Sequence, residues 1–349
     1  LYISAYKDES VIIGGVDAIK TKALKKVSDN AIISRVTKET ADNLYYADYS
    51  GIGIKDSIGF SVGSDIKPPI AYCGNKKMQI AQYPNTGYDY IKSVKDSGEG
   101  QGSSGKAIFT PCDDTVFSWT DNSDIGVYGM FAVPWMKSMG KIDIDTENKT
   151  IASGTLSQGW PVNTYLRYEE AGLSHFVYFN ALEAIDMPGE WSFDNNKQKI
   201  YIYMPDKPED DEIIINTKSI TGVFDISESE NLIFNNLNIT GAKSGVNAKN
   251  SKNIIVQNCK INNLDTGVRF NNCSKCGMIN SVISDASWGL TLIGSDEADM
   301  IPDRNFCQNN VFSDCIQAVL LDKYATGCII SHNLFENLQG RAVFNSGCT

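Results

Sequence analysis

The residues of this 349-residue chain best suited to chemistry are carboxylates gathered between Asp285 and Asp322. Asp296, Glu297, Asp299 and Asp303 crowd the stretch GSDEADMIPD, and Asp322 follows in a strand-like run. Asp285 and Asp314 each fall five residues after an asparagine, Asn280 and Asn309, with Asn263 at the equivalent point of an earlier segment. Two carboxyl groups held ~5 Å apart, or ~6.5 to 9.5 Å apart, can cleave a glycosidic bond, one giving a proton to the leaving oxygen while the other attacks the sugar or activates water. Oxygen clusters also suit Ca²⁺. An acidic, solvated loop needs no ion, so we expect neither metal nor cofactor, with Ca²⁺ the one ion these residues would accommodate.

Other chemistries have little to stand on. The only histidines are His175 and His332, and His332 occupies an asparagine position of the repeat described next, as a ladder member and not as a base. No Gly-x-Ser-x-Gly, phosphate loop or dinucleotide fingerprint stands in a supporting context, which leaves acyl transfer, phosphoryl transfer and hydride transfer unsupported.

Carboxylates work only if a scaffold sets their separation, and the second half of the chain is a repeat. Small residues opening a short strand fall at Gly222, Gly245, Gly267, Gly289, Ala318 and Ala342, at intervals of 23, 22, 22, 29 and 24. Val223, Val246, Val268, Leu290, Val319 and Val343 follow them, and Ile239, Ile261, Ile283, Phe312 and Phe335 close each unit. These are expected inward columns. Asn236, Asn258, Asn280, Asn309 and His332 form a third column, whose amides could bond to one another and to turn backbone when stacked at ~4.8 Å. Units of about 22 residues with several short strands and no helical pattern describe a coil whose turns pair in parallel, a parallel β-helix. A leucine-rich repeat would need a Leu-x-x-Leu-x-Leu frame that is absent.

On such a coil Asn247, Arg269 and Thr291 alternate with the inward column and are expected to face outward. The stacked Asp285 and Asp314 would raise one another's pKa, yet Asx turns explain that column without catalysis. The unit from Gly289 to Ala318 is seven residues longer than its 22-residue neighbours and carries the acidic cluster, where a loop over a scaffold tends to place a site.

Residues 41–212 break the period. Strand pairs such as WSFDNNKQKIYIYM (Trp191 to Met204) with NNKQ as the turn, many prolines and a SGEGQGSSGK loop predict an inserted β-rich domain. Residues 1–40, with VIIGG and NAIISRV, resemble further rungs, and 213–349 are the main β-helix.

A formal net charge of −11 opposes a polyanion, so no nucleic-acid partner is expected. No run approaches the ~20 apolar residues of a membrane span. Nine cysteines lack two paired CxxC units, with Cys273 and Cys276 one lone pair, so buried thiols are expected in place of a zinc site. Sequons at Asn148, Asn238 and Asn272 suit a secreted or cell-surface protein.

Several strings together resemble a known family: AYKDESVIIGG, YYADYSGIGIKD, GNKKMQIAQYPNTGY, FSWTDNSDIGVYGMF, NALEAIDMPGEWSFD and the repeat itself. They are similar to the secreted bacterial right-handed parallel β-helix proteins of the pectin-lyase-like superfamily, closest to those around glycoside hydrolase family 141. The resemblance implies a right-handed coil with an inserted β domain in its N-terminal half, a polysaccharide or oligosaccharide partner, and a substrate groove on the sheet bearing Asn247, Arg269 and Thr291. Where the family has Gly-Gly-Asp-Arg, this chain reads GSDE, so Asp296 matches the Asp while Glu297 replaces the Arg. The family's chain also runs on into further rungs; an open rung at FNSGCT is expected to be continued, or capped by another chain. Asp296 and Asp322 are the catalytic candidates, and Asn247, Arg269 and Thr291 the substrate-binding ones. A non-catalytic glycan-binding or structural β-helix and a polysaccharide lyase are the alternatives.

Overall fold

In the computed structural model the chain is described at all residues except 8, 16, 50–57, 59–62, 65–67, 75, 99–104, 121–122, 134–136, 155, 157–161, 163–173, 216–220, 295–303 and 348–349. It divides into two compact units, 1–16 with 216–349, and 17–215.

A short strand with one apolar face cannot bury that face alone, and a 22-residue repeat of such strands must stack turn on turn. The first unit does this as a right-handed parallel β-helix. One sheet stacks Tyr2–Ser4, Glu230–Asn235, Lys252–Gln257, Gly277–Ile279, Phe306–Gln308 and Ile329–Ser331 in parallel. A longer bent sheet stacks Ile12–Gly14, Asn238–Lys249, Lys260–Asn271 and Val282–Ile293. Beyond these it continues as Val311–Ser313 with Gln317–Asp322, then Leu334–Glu336 with Val343–Ser346.

The inward columns hold their register. Ile13, Ile239, Ile261, Ile283, Phe312 and Phe335 pair in sequence, as do Val246, Val268, Leu290, Val319 and Val343. Val223 departs from expectation: Phe224, not Val223, pairs with Val246, so that strand enters one residue out of phase. Gly245 and Gly267 are required by close approach, since a Cβ on Gly245 would lie 2.6 Å from the Gly267 carbonyl oxygen and one on Gly267 would lie 2.7 Å from that of Gly289.

The corners explain the polar columns differently from the expectation. Asn236, Asn258, Asn280, Asn309 and His332 all have φ between 50° and 57°, the left-handed region that asparagine tolerates better than most side chains. The backbone N–H groups of the four asparagines donate to the next rung, as Asn258 does to the Ile279 carbonyl at 3.2 Å. Amide ladders run beside this column: Asn253 Nδ2 donates to Asn231 Oδ1 at 2.6 Å and Asn272 Nδ2 to Asn250 Oδ1 at 2.9 Å.

Cys259, Cys273, Cys276, Cys307 and Cys315 are buried free thiols of this core. Four of them donate to the carbonyl two residues earlier, as Cys259 does to Gln257 at 3.2 Å. Ser251 and Ser281 make the same bond in equivalent corners, so cysteine serves there as a serine that also packs.

The second unit is antiparallel. Trp191–Asp194 and Lys199–Tyr203 form the expected hairpin and continue through Leu44–Asp48 to Lys25–Lys26. A second sheet joins Asp17–Lys20, Glu212–Ile215, Ala71–Cys73 and Lys76–Met78. A nine-stranded sheet includes Asp89–Ser97, Ala107–Pro111, Gly126–Met130 and His175–Phe179.

The reading of NAIISRV as a rung is corrected. Asn30–Ile33 is a helix, N-capped by Asp29, whose Oδ1 accepts from the Ala31 N–H, and Ile32 is its buried residue. Asp17–Lys20 pairs with Glu212–Ile215, so the contact division falls after residue 16 and not after residue 40.

Candidate functional site

In the bent sheet of the first unit, side chains alternate between the core and the outer face. Val246, Ala248, Val268, Phe270, Leu290 and Leu292 are buried. Between them Asp225, Asn247, Arg269, Thr291 and Leu320 are cross-strand neighbours in one unbroken row. The sequence expectation that Asn247, Arg269 and Thr291 share a face thus acquires a register. Asn247 Nδ2 donates to Asp225 Oδ1 at 2.9 Å, and Arg269 is exposed. Thr291 is buried at 5%, and its Oγ1 has no hydrogen-bond partner among the described residues.

Asp322 stands two residues beyond Leu320, paired with Ile293 and Ser346, and is half-buried. It lies two strand spacings across from Arg269 and two residues along, on the order of 12 Å between backbones. Residues 288 and 317 begin the same wall, where half-buried Trp288 pairs with Gln317. Asp296 lies outside the described residues, as do Glu297, Asp299 and Asp303.

Asp285 and Asp314 follow the paired residues Ser284 and Ser313, at one corner of adjacent rungs, with φ of 51° and 53°. Asn263 and Asn337 repeat the conformation at 57° and 52°, and Gly241 at 67°. A corner that accepts Gly, Asn and Asp alike selects for backbone conformation, not for a carboxyl group. His332 likewise sits at a left-handed corner.

The second unit holds titratable groups that no spacing in the sequence marked. Asp89, 4% exposed, accepts from the N–H groups of Tyr90 at 2.7 Å and Asp113 at 3.1 Å and from the Tyr178 hydroxyl at 2.9 Å. Burial nonetheless lifts its carboxyl above the usual range. Tyr83 donates to Asp113 Oδ2 at 2.5 Å, and its ring packs edge-on against Trp119.

The string NALEAIDMPGEWSFD turns out to be a brace. Asn180, at φ 68°, accepts from the Phe193 N–H and donates to the carbonyls of Asp124 and Phe193. Glu183 receives Arg35 through two bonds of 2.8 and 2.9 Å and also accepts from the Thr120 N–H. Burial raises its carboxyl, but Arg35 and Thr120 outweigh that and hold it below the ordinary value. Glu190 Oε2 accepts from the N–H groups of Asp186 and Met187, yet burial pushes this carboxyl up to about 7. A cleft lined by Arg35, Asp124, Asn180, Asp194 and Tyr201 encloses about 30 Å³, room for a water but not for a sugar ring. Asp124 and Asp194 are already engaged there, by Asn195 and Lys197.

Comparison with known proteins agrees with the coil. Residues 205–348 match the family described as NosD, periplasmic copper-binding protein. A solved structure named "Glycoside hydrolase" aligns over 99% of this chain and 84% of its own, with a TM-score of 0.61 and 10% identity, and so shares the fold. A second, "The complex structure of XylC with xylose", covers 99% of this chain and 54% of its own at TM-score 0.44 and 12% identity. No curated protein sequence matches.

Proposed function

We propose that this is an exported, glycan-acting β-helix protein, a glycoside hydrolase whose substrate lies along the outer wall of the bent sheet. The observation that carries the reading is the unbroken row Asp225, Asn247 and Arg269 on the outer face, continued by the buried Thr291, with Asp322 beside it. Asp225, Asn247 and Arg269 offer polar groups at successive ~4.8 Å steps, a ladder on which hydroxyl groups can be held in order. Arg269, with its fixed fork of donors, orients the chain of sugars. Asp322 and Asp296 are the carboxyl pair: one protonates the glycosidic oxygen as the C–O bond breaks, and the other attacks the anomeric carbon or takes the proton of the attacking water. The similarity of the quoted strings to glycoside hydrolase family 141 supports the same assignment, and the periplasmic description of the NosD family supports export. Among the described residues no helix is long and apolar enough to cross a membrane.

The copper in that family's description finds no fitting donor set among the described residues. Among the described residues no three His, Cys, Asp or Glu side chains converge as ligands, and the thiols of the repeat are buried and turned to backbone carbonyls.

A glycan panel tests the proposal. New reducing ends without unsaturated sugars support hydrolysis. Unsaturated products mean a lyase, with Arg269 as the basic group, and retention without cleavage means a binding module, the reading that Glu297 in place of the family arginine favours.

A further inference from the structure

Two of the three large apolar side chains exposed in the second unit, among the described residues, sit together. Tyr88 is 43% exposed and Tyr90 37%, while Asp89 and Ile91 beside them are buried, so the two tyrosines project from one face of the nine-stranded sheet. His175 is the cross-strand partner of Tyr90, and its ring lies 4.4 Å from that of Tyr88. Met130, the partner of His175 on the other side, extends the row.

Among the described residues nothing uses the two hydroxyls. Tyr49, Tyr83 and Tyr178 of the same unit donate theirs to Asn195, Asp113 and Asp89. Neither Tyr88 nor Tyr90 makes a side-chain hydrogen bond among the described residues. The platform is also held rigid from beneath. Asp89, between the two, is locked by the N–H groups of Tyr90 and Asp113 and by the Tyr178 hydroxyl, so little order remains to be imposed when a ligand arrives.

We propose that Tyr88, Tyr90 and His175 form a second carbohydrate-binding surface, one that takes the flat C–H faces of a neutral polysaccharide. Tyr88 immediately precedes the strand that carries Tyr90, and two residues of extended chain span roughly 7 Å, enough to underlie a sugar ring. Each tyrosine couples an apolar ring to a polar tip, matching a pyranose with its apolar face and hydroxyl edge. The net charge of −11 opposes an anionic chain, which leaves a neutral one as the occupant. This rests on the glycan reading above but uses none of its residues.

The test is retention on insoluble cellulose, xylan and mannan, with polygalacturonate as the charged control, for the wild type and for Tyr88→Ala/Tyr90→Ala and Tyr88→Phe/Tyr90→Phe. A soluble oligosaccharide that the wild type cleaves is assayed in parallel. The alanine pair is expected to bind a neutral polysaccharide about tenfold more weakly or worse, the phenylalanine pair to keep most of the binding, and both to retain the melting temperature and the turnover of the soluble substrate. Undiminished retention of the alanine pair overturns the proposal and leaves the main groove reading intact. Retention of the wild type by none of the neutral chains, or by polygalacturonate alone, overturns it as well; unchanged turnover in an Arg269 variant with platform binding kept sinks only the groove.

Discussion

Asp285 and Asp314 stand at the same corner of adjacent rungs, and both carry a left-handed φ, 51° and 53°. Stacked carboxylates look like an acid–base pair, but backbone conformation accounts for their identity. Asp285→Asn and Asp314→Asn are therefore expected to leave cleavage unchanged. Asp285→Val should destabilise the coil by about 1–2 kcal/mol, because a branched Cβ is strained in that region. Denaturant melts and glycan turnover check both halves, and a hundredfold activity loss in either asparagine variant would restore the pair as catalytic.

For the groove, Arg269→Ala should lower kcat/KM at least about tenfold, ~1.4 kcal/mol of transition-state binding, without moving the melting temperature, since the side chain is exposed. Asp322→Asn and Asp296→Asn should cost more, on the order of a hundredfold or greater. Unchanged turnover in either asparagine variant removes that residue from the mechanism.

Glu190 sets a pH dependence of stability. Burial pushes its carboxyl from 4.5 up to about 7 in the folded chain. Below pH 4.5 both folded and unfolded forms are protonated and nothing is lost. Between about 4.5 and 7 the unfolded chain ionises first, so folding stability falls as pH rises, and it levels off above. Glu190→Gln should flatten this decline in urea melts taken from pH 4 to 8. A variant whose stability still falls across that window as the wild type's does would assign the effect elsewhere.

Gly267, with a paired rung on either side, is a probe of the winding. A Cβ there meets the Gly289 carbonyl oxygen at 2.7 Å and Ile283 Cδ1 at 2.9 Å. Gly267→Ala is expected to cost about 1–3 kcal/mol by overpacking. A melt indistinguishable from wild type would mean that neighbouring rungs separate more easily than the register implies.

What could be read beforehand follows the physics of each element. The Ile239 and Val246 columns were legible because burial on a coil repeats the same demand at every turn. The phase of Val223 was not, because a first strand is not bound by a rung before it in the same way. Asn30–Ile33 imitates a strand in its apolar run; what makes it a helix is the Asp29 cap, a single polar side chain that periodicity overlooks. The asparagine columns were visible as columns, but their cause was sought in side-chain ladders when it lay in φ. In the insert, the motif holding Asn180, Glu183 and Glu190 stood out as a string, yet its partners Arg35, Thr120 and Asp124 come from elsewhere along the chain, and no local spacing reveals such pairings.

Pairing steps by 22 residues from Val246 to Val268 to Leu290, then by 29 from Leu290 to Val319, and the strands on either side continue undisturbed. Seven additional residues have thus been absorbed at one turn without any adjustment in its neighbours. A scaffold whose levels answer only to the levels above and below can be retailored one storey at a time, so new specificity at this storey need not be negotiated with the rest of the tower.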